Sequence, residues 1–183
     1  QTPEDSPFDI RLSAWLHEMG RRHRFVILKA DPGFTPWTRR CAMFADRVLL
    51  AGAAGGDPGL SQAERRLARD WERRPERSRM LALMHRGHGA FPENTRSWLE
   101  SRGDVRRLHV RQDVAGDVER LGRLLAGKAV GLTLSGGGAR AMAHIGVIRA
   151  LQESGVPIDA VGGASMGGII AALYALGWST EEM

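Results

Sequence analysis

The stretch Ile158-Asp159-Ala160-Val161-Gly162-Gly163-Ala164-Ser165-Met166-Gly167-Gly168-Ile169-Ile170-Ala171-Ala172-Leu173-Tyr174 decides the fold of this chain. Its apolar start, Ile158–Val161, reads as a short buried strand, and its apolar end, Ile169–Tyr174, as a helix. Between them, Gly163-Ala164-Ser165-Met166-Gly167 has the spacing G-x-S-x-G. A serine on so tight a strand-to-helix turn leaves no room for side chains two residues before or after it, so Gly163 and Gly167 suit a nucleophile elbow. The turn also sets Ser165 at a helix N-terminus, where the dipole favours developing negative charge. The pattern by itself is common, and a plain glycine-rich βα turn is the competing reading.

Working outward, the same alternation of short apolar runs and helical patterns continues. Ala129–Leu134 reads as a strand, and Ala139–Glu153 as a helix stopped by Gly155 and Pro157. Further upstream, Phe25–Leu28, Arg47–Leu50, Met80–Leu83 and Leu108–Val110 read as strands buried on both faces. Thr35-Pro36 predicts an N-cap and a helix through about Ala45. Ser61-Gln62-Ala63-Glu64 has capping-box spacing and opens a helix through about Arg73. Asp113 heads a helix to about Ala126, with Val114, Val118, Leu121 and Leu125 on one face. This order predicts an α/β fold, with parallel sheets covered by helices.

A domain boundary is expected near Gly127-Lys128, where charge density drops and glycine content rises. It separates a Rossmann-like α/β domain over residues 1–127 from the start of a second domain over 128–183. Of the 183 residues, 43% are hydrophobic and 26% charged, which excludes a disordered or collagen-like chain. The lone Cys41 excludes a disulfide framework and a cysteine-built zinc site, and fits a reducing compartment. No signal peptide is visible and no initiator Met is present, as expected of a piece of something longer. Residues 160–180 carry no charge, but their glycines and Ser165 favour a buried strand–turn–helix over a membrane span. The net charge of +5 divides into +6 over residues 1–127 and −1 over 128–183, and all but two of the 26 basic residues are arginines. Acidic neighbours, as in Glu64-Arg65-Arg66, favour a solvated surface. An anionic membrane is the second reading and nucleic acid the weakest, so no nucleic-acid partner is expected.

The other stretch bearing chemistry is Ser135-Gly136-Gly137-Gly138-Ala139-Arg140, between a strand and a helix. Consecutive glycines let backbone N–H groups converge on one point, which suits an anion or a tetrahedral oxyanion. Gly136-x-Gly138-x-x-Ala141 also fits a dinucleotide fingerprint, but the nearest acid, Asp159, opens the next strand and so lies at the wrong edge of the sheet. Two such turns on consecutive βα units open on the same sheet edge, so nucleophile and oxyanion donors would face one cleft. His144 is a tempting base, although packing or hydrogen bonding is the favoured role. His85 and His88 lack a third ligand nearby, so no metal is expected, and His17, His23 and His109 show no constellation. The loop Gly52–Gly59 lacks the ending of a P-loop and reads as a plain connection. Trp37, Trp71 and Trp98 read as core or interface.

On these residues the chain resembles a known family. Gly136-Gly137-Gly138-x-Arg140, His144-Ile145-Gly146-Val147 and Gly163–Gly167 are similar to the beginning of a patatin-like phospholipase domain. Thr35-Pro36-Trp37-Thr38-Arg39-Arg40-Cys41, Ala45-Asp46-Arg47-Val48-Leu49 and His85-Arg86 are similar, more loosely, to the segment preceding that domain in neuropathy target esterase-like lysophospholipases. The resemblance implies a serine hydrolase acting on phospholipid or lysophospholipid acyl esters through a Ser–Asp dyad, with no cofactor and no metal. It implies Ser165 as nucleophile, and Gly136, Gly137, Gly138 and Arg140 as the oxyanion loop. It further implies a cytoplasmic location, peripheral to or tethered at a membrane through segments outside this chain. Ser135 and Ala141 stand where the family often has glycine. No Asp-Gly-Gly or Asp-Gly-Ala tripeptide occurs, so these 183 residues alone are expected to be inactive. A membrane-docking or regulatory α/β module, or pseudoenzyme, is the alternative; a dinucleotide-binding protein is the lesser one.

Overall fold

The computed structural model describes residues 7–72, 78–86, 94–103 and 105–183. Contacts divide them into two compact units: one of the described residues up to His85 and from Asn94 to His109, the other from Val110 onward together with Arg86.

The first unit begins with helices α1 (Pro7–Arg22) and α2 (Pro36–Phe44). Thr35 caps α2 through its Oγ1, which accepts from Thr38 N at 3.1 Å, with Pro36 in the first turn as its fixed φ favours. Arg40 of α2 pairs with Asp9 and donates to Ser13 Oγ, joining the two helices. Strand β1 (Arg47–Ala53), helix α3 (Gln62–Glu72), strand β2 (Ser78–His85), helix α4 (Thr95–Glu100) and strand β3 (Arg106–Arg111) follow. The sheet order is β1-β2-β3, and β1 and β2 run parallel from Arg47 beside Ser78 to Ala53 beside Met84. Met80, Leu81, Ala82 and Leu83 are all buried, as a central strand covered on both faces requires. In β1, at the edge of the sheet, burial instead alternates between exposed and half-buried residues.

The capping box at α3 forms in both directions: Ser61 N donates to Glu64 Oε2 and Glu64 N to Ser61 Oγ. Residues 73–77, and with them the expected helix end at Arg73, lie outside the described set. Phe25–Leu28 departs from expectation. It joins no strand among the described residues, and Phe25 and Ile27 are 55% and 92% exposed. β-propensity reflects fit to a pleated, half-buried surface, and no neighbour supplies that surface here. Past it, Trp37 Nε1 donates to the Lys29 carbonyl and Thr38 Oγ1 to that of Gly33, so the chain is tied to α2.

The second unit contains α5 (Ala115–Leu125), β4 (Gly131–Leu134), a 3-10 turn (Gly138–Met142), α6 (Ala143–Glu153), β5 (Ala160–Gly163) and α7 (Met166–Ala175). Helix α5 starts two residues after Asp113, and its predicted apolar face is only partly covered, Val118 being 48% exposed. β4 and β5 pair in parallel, Gly131 beside Ala160 through Leu134 beside Gly163. Leu134, Ala141, Ile148, Ile170 and Ala171 form the core on this sheet. Both strands begin about two residues later than their apolar runs. Just before them, Asp159 is buried and binds Arg123 Nε and Nη2 at 2.8–3.1 Å while accepting from Val130 N at 2.9 Å, and the Val130 carbonyl accepts from Asp159 N and Ala160 N at 2.8 and 3.2 Å. The α/β fold with parallel pairing follows the expected alternation.

The Arg123 hydrogen bonds, aided by Val130 N–H, hold the Asp159 carboxyl below its ordinary value against the opposing effect of burial. A depressed folded-state value contributes stability that is present at neutral pH and lost as pH falls through that value. Asp159→Ala should destabilise the second unit by about 3 kcal/mol, since guanidinium and amide both lose their acceptor. Asp159→Asn, which keeps an acceptor, should lose less. Urea titrations at pH 7 and in steps below about pH 4, the ordinary carboxylate value, check both, and the gap between wild type and Asp159→Asn should narrow as pH falls through that lower range.

Candidate active site

The site is built where the ends of β4 and β5 meet. Leu134 ends β4, and its carbonyl accepts from Ala164 N at 3.0 Å, which fastens the chain just before Ser165 to the neighbouring strand. A Cβ on Gly163 would stand 2.6 Å from the Gly167 carbonyl, and one on Gly167 would strike the carbonyls of Leu134 and Ser135. The first turn of α7 therefore presses directly on the ends of both strands. That closeness turns the chain sharply at Ser165, which has φ +50° and ψ −127°; among the described residues only Asn94 is another non-glycine with positive φ. Such a backbone costs on the order of 1–3 kcal/mol and persists only where its surroundings enforce it.

Ser165 occupies the N-cap position of α7, yet its side chain makes no capping bond. Its carbonyl accepts from Gly168 N and Ile169 N, while no hydrogen bond engages its hydroxyl among the described residues. The residue is exposed, at the positive end of a helix dipole. Beside it lies the glycine loop: a Cβ on Gly136 would be 3.2 Å from Ser165 Cβ. Gly138 has φ +54° and opens the 3-10 turn, and Arg140 N donates to Gly137 O at 3.2 Å. Gly136 through Arg140 are exposed, and the Arg140 guanidinium has no carboxylate partner among the described residues. The structure thus brings Ser165 together with the Gly136–Gly138 loop.

His144 does not reach Ser165. Its Nε2 lies 2.9 Å from the carbonyl oxygen of Ser135, and a carbonyl only accepts, so Nε2 carries a proton and donates. Asp159, the acid that a dinucleotide would need for its ribose, is spent on Arg123 and Val130. The loop after β1 is also closed by its own residues. Gly59 N donates to Asp57, and Arg102, buried against Glu64, donates to the Pro58 and Gly59 carbonyls at 2.7 and 3.1 Å. Trp71 and Trp98 are buried and Cys41 is buried too, where burial, then Asp31, push its thiol above the ordinary value.

One cluster escaped the sequence. His85 Nε2 and His109 Nδ1 are 2.8 Å apart, and Thr95 Oγ1 is 3.2 Å from His109 Nε2. Burial, then the nearby His85 and Arg107, lowers the His109 value. The expectation that His109 stands apart is corrected: residues 24 positions apart meet because β2 and β3 are neighbours. His88 lies outside the described residues, and no group of three metal-ligating side chains occurs among the described ones.

Comparison with known proteins resolves what lineage these turns come from. Residues 5–126 match the model of the Neuropathy Target Esterase family P-loop like domain, and residues 132–183 match that of patatin-like phospholipase. The chain belongs to the neuropathy target esterase family of patatin-like phospholipases. It is 39% identical over 197 residues to patatin-like phospholipase domain-containing protein 6 of Homo sapiens, covering 93% of this chain and 14% of that protein. It is 33% identical over 218 residues to lysophospholipase NTE1 of Pyricularia oryzae, covering 91% and 14%. It is 33% identical over 196 residues to neuropathy target esterase sws of Drosophila persimilis, covering 93% and 14%. The chain thus spans about one seventh of the length of these relatives. No solved structure matches it.

The strain at Ser165 has a measurable consequence. Ser165→Gly should stabilise the second unit by about 1 kcal/mol, because glycine tolerates positive φ, whereas Ser165→Ala should not. Denaturant midpoints of the two variants against wild type check this.

Proposed function

We propose that this chain supplies the nucleophile and the oxyanion loop for hydrolysis of lipid acyl esters, with lysophospholipids as the substrate class. The observation that supports it best is the unbonded Ser165 hydroxyl, held on strained backbone directly against Gly136. Ser165 Oγ attacks the acyl carbonyl and gives up its proton to a base. The carbonyl oxygen, now negative, is received by the Gly136–Gly138 amides with the Arg140 charge nearby. One such donor typically contributes about 3–4 kcal/mol of barrier lowering. Collapse expels the glycerol oxygen of the glycerophosphodiester, which takes up the proton that the base removed from serine, and water then releases the fatty acid from the acyl-serine. The base is an aspartate of an Asp-Gly-Gly or Asp-Gly-Ala motif outside these 183 residues. Residues 1–127 form the module preceding the catalytic domain, and residues 128–183 its beginning. The protein works on the cytoplasmic face of a membrane, from whose surface the substrate is taken; no helix of the described residues is long and apolar enough to cross one.

The test is hydrolysis of a lysophospholipid by two polypeptides. One extended past residue 183 to include the aspartate motif should turn over and lose activity, by about 10³-fold or more, in Ser165→Ala. The 183 residues alone should show no turnover. Hydrolysis that survives Ser165→Ala would overturn the assignment.

A second reading, of residues 1–127 as a docking module on anionic membrane, draws on one exposed segment. Arg21 and Arg22 are 84% and 66% exposed although paired with Glu18, and Arg24 lies over the Phe25 ring beside exposed Val26 and Ile27. Vesicles rich in phosphatidylserine should bind the protein at low salt and release it as salt rises, whereas neutral vesicles should not. Salt-insensitive or absent binding removes this reading.

A further inference from the structure

The hydrogen bond from His144 to the Ser135 carbonyl has a consequence for the chemistry. The Ser135 carbonyl and the Gly136 N–H belong to one planar trans peptide, so the two groups point in opposite directions and rotate together. Whatever holds the carbonyl therefore aims the amide. Two features hold it: the His144 Nε2 donor at 2.9 Å, and the close-packed Gly167, which allows a neighbour on that side only because it lacks a side chain. Gly136 in turn lies against Ser165 Cβ. The loop has little else to stiffen it, since Ser135 through Arg140 are exposed and Gly138 sits at positive φ. His144, by contrast, stands in the first turn of α6, whose Ile145 and Ile148 pack in the core beside Ala141.

From this we infer that His144 is a positioning residue: by donating to the Ser135 carbonyl it fixes the direction of the Gly136 N–H, the first amide of the oxyanion loop. The inference rests on the proposal that Ser165 is the nucleophile and the glycine loop receives the oxyanion. It explains why an imidazole in the first turn of α6 bonds the glycine loop and is not the base of the nucleophilic serine. Nε2 is committed as a donor, and either protonation state of the ring that carries Nε2–H fulfils the role. An amide nitrogen at the same place would serve equally well, and a hydrocarbon of the same bulk would not.

The experiment uses the active protein that contains the aspartate motif, with Ser165→Ala as reference. In His144→Phe, kcat should fall by about 10²-fold with KM changed less than about threefold, because a misdirected oxyanion donor is felt in the transition state and not in substrate binding. His144→Gln places an amide N–H close to the Nε2 position and should recover kcat to within about fivefold, with the pH profile unchanged. His144→Asn, whose amide stops short, should behave like His144→Phe and serves if the latter fails to fold. Equal activity of the Phe, Asn and Gln variants with wild type would overturn the inference. So would loss of activity in Gln matching that in Phe, the outcome expected of a general base. Activity that persists in Ser165→Ala would instead sink the nucleophile assignment on which it stands.

Discussion

The candidate site depends on one steric constraint: the first turn of α7 must lie against the ends of β4 and β5 with no side chain between them. Gly163 and Gly167 meet each other and the Leu134 and Ser135 carbonyls at distances that exclude a Cβ. Closing that gap bends the chain at Ser165 into positive φ and leaves its hydroxyl outside the capping position that serine ordinarily takes. The same contact crowds the Ser135 carbonyl, so the Ser165 turn and the glycine loop are shaped by one packing event. Strain at the serine is thus the by-product of bringing two strand ends and a helix into register.

Two further interactions keep the parts that make this contact in place. The pairing of Asp159 with Arg123 and the Val130 amide clamps the start of both strands, and β4 and β5 run from there in matched register to the site. At the other end of β4, the bond from Ala164 N to the Leu134 carbonyl carries the pairing across the turn. A buried carboxylate at the base of the sheet thereby sets the register at its tip. In the first unit the analogous work falls to Arg102, whose guanidinium joins Glu64 to the loop carbonyls of Pro58 and Gly59. In that unit the arginine stabilises a connection, and an anionic ligand finds Asp57 already on the Gly59 amide.

Much of the second unit was legible because its signals are contiguous. G-x-S-x-G between an apolar run and a helical one, and three glycines after another run, specify their own local geometry within a few residues of chain. The caps at Thr35 and Ser61 were legible for the same reason, since donor and acceptor sit three residues apart. Strand limits were less so: both strands start about two residues late, beside the point where Asp159 meets Arg123, a partner 36 positions away. Phe25–Leu28 shows the opposite failure: Phe25, Val26 and Ile27 lie exposed, and the run joins no strand among the described residues.

By itself the amino-acid order determined the α/β class and the two glycine-rich turns, because these follow from side-chain type, size and spacing along the chain. Only the tertiary structure decided which groups answer one another across it. His144 reaches back to Ser135, His109 meets His85 and Thr95, and Asp159 meets Arg123. A hydrogen bond is sensitive to tenths of an ångström and to direction, and those are set by how strands and helices pack rather than by the residues that carry the donors.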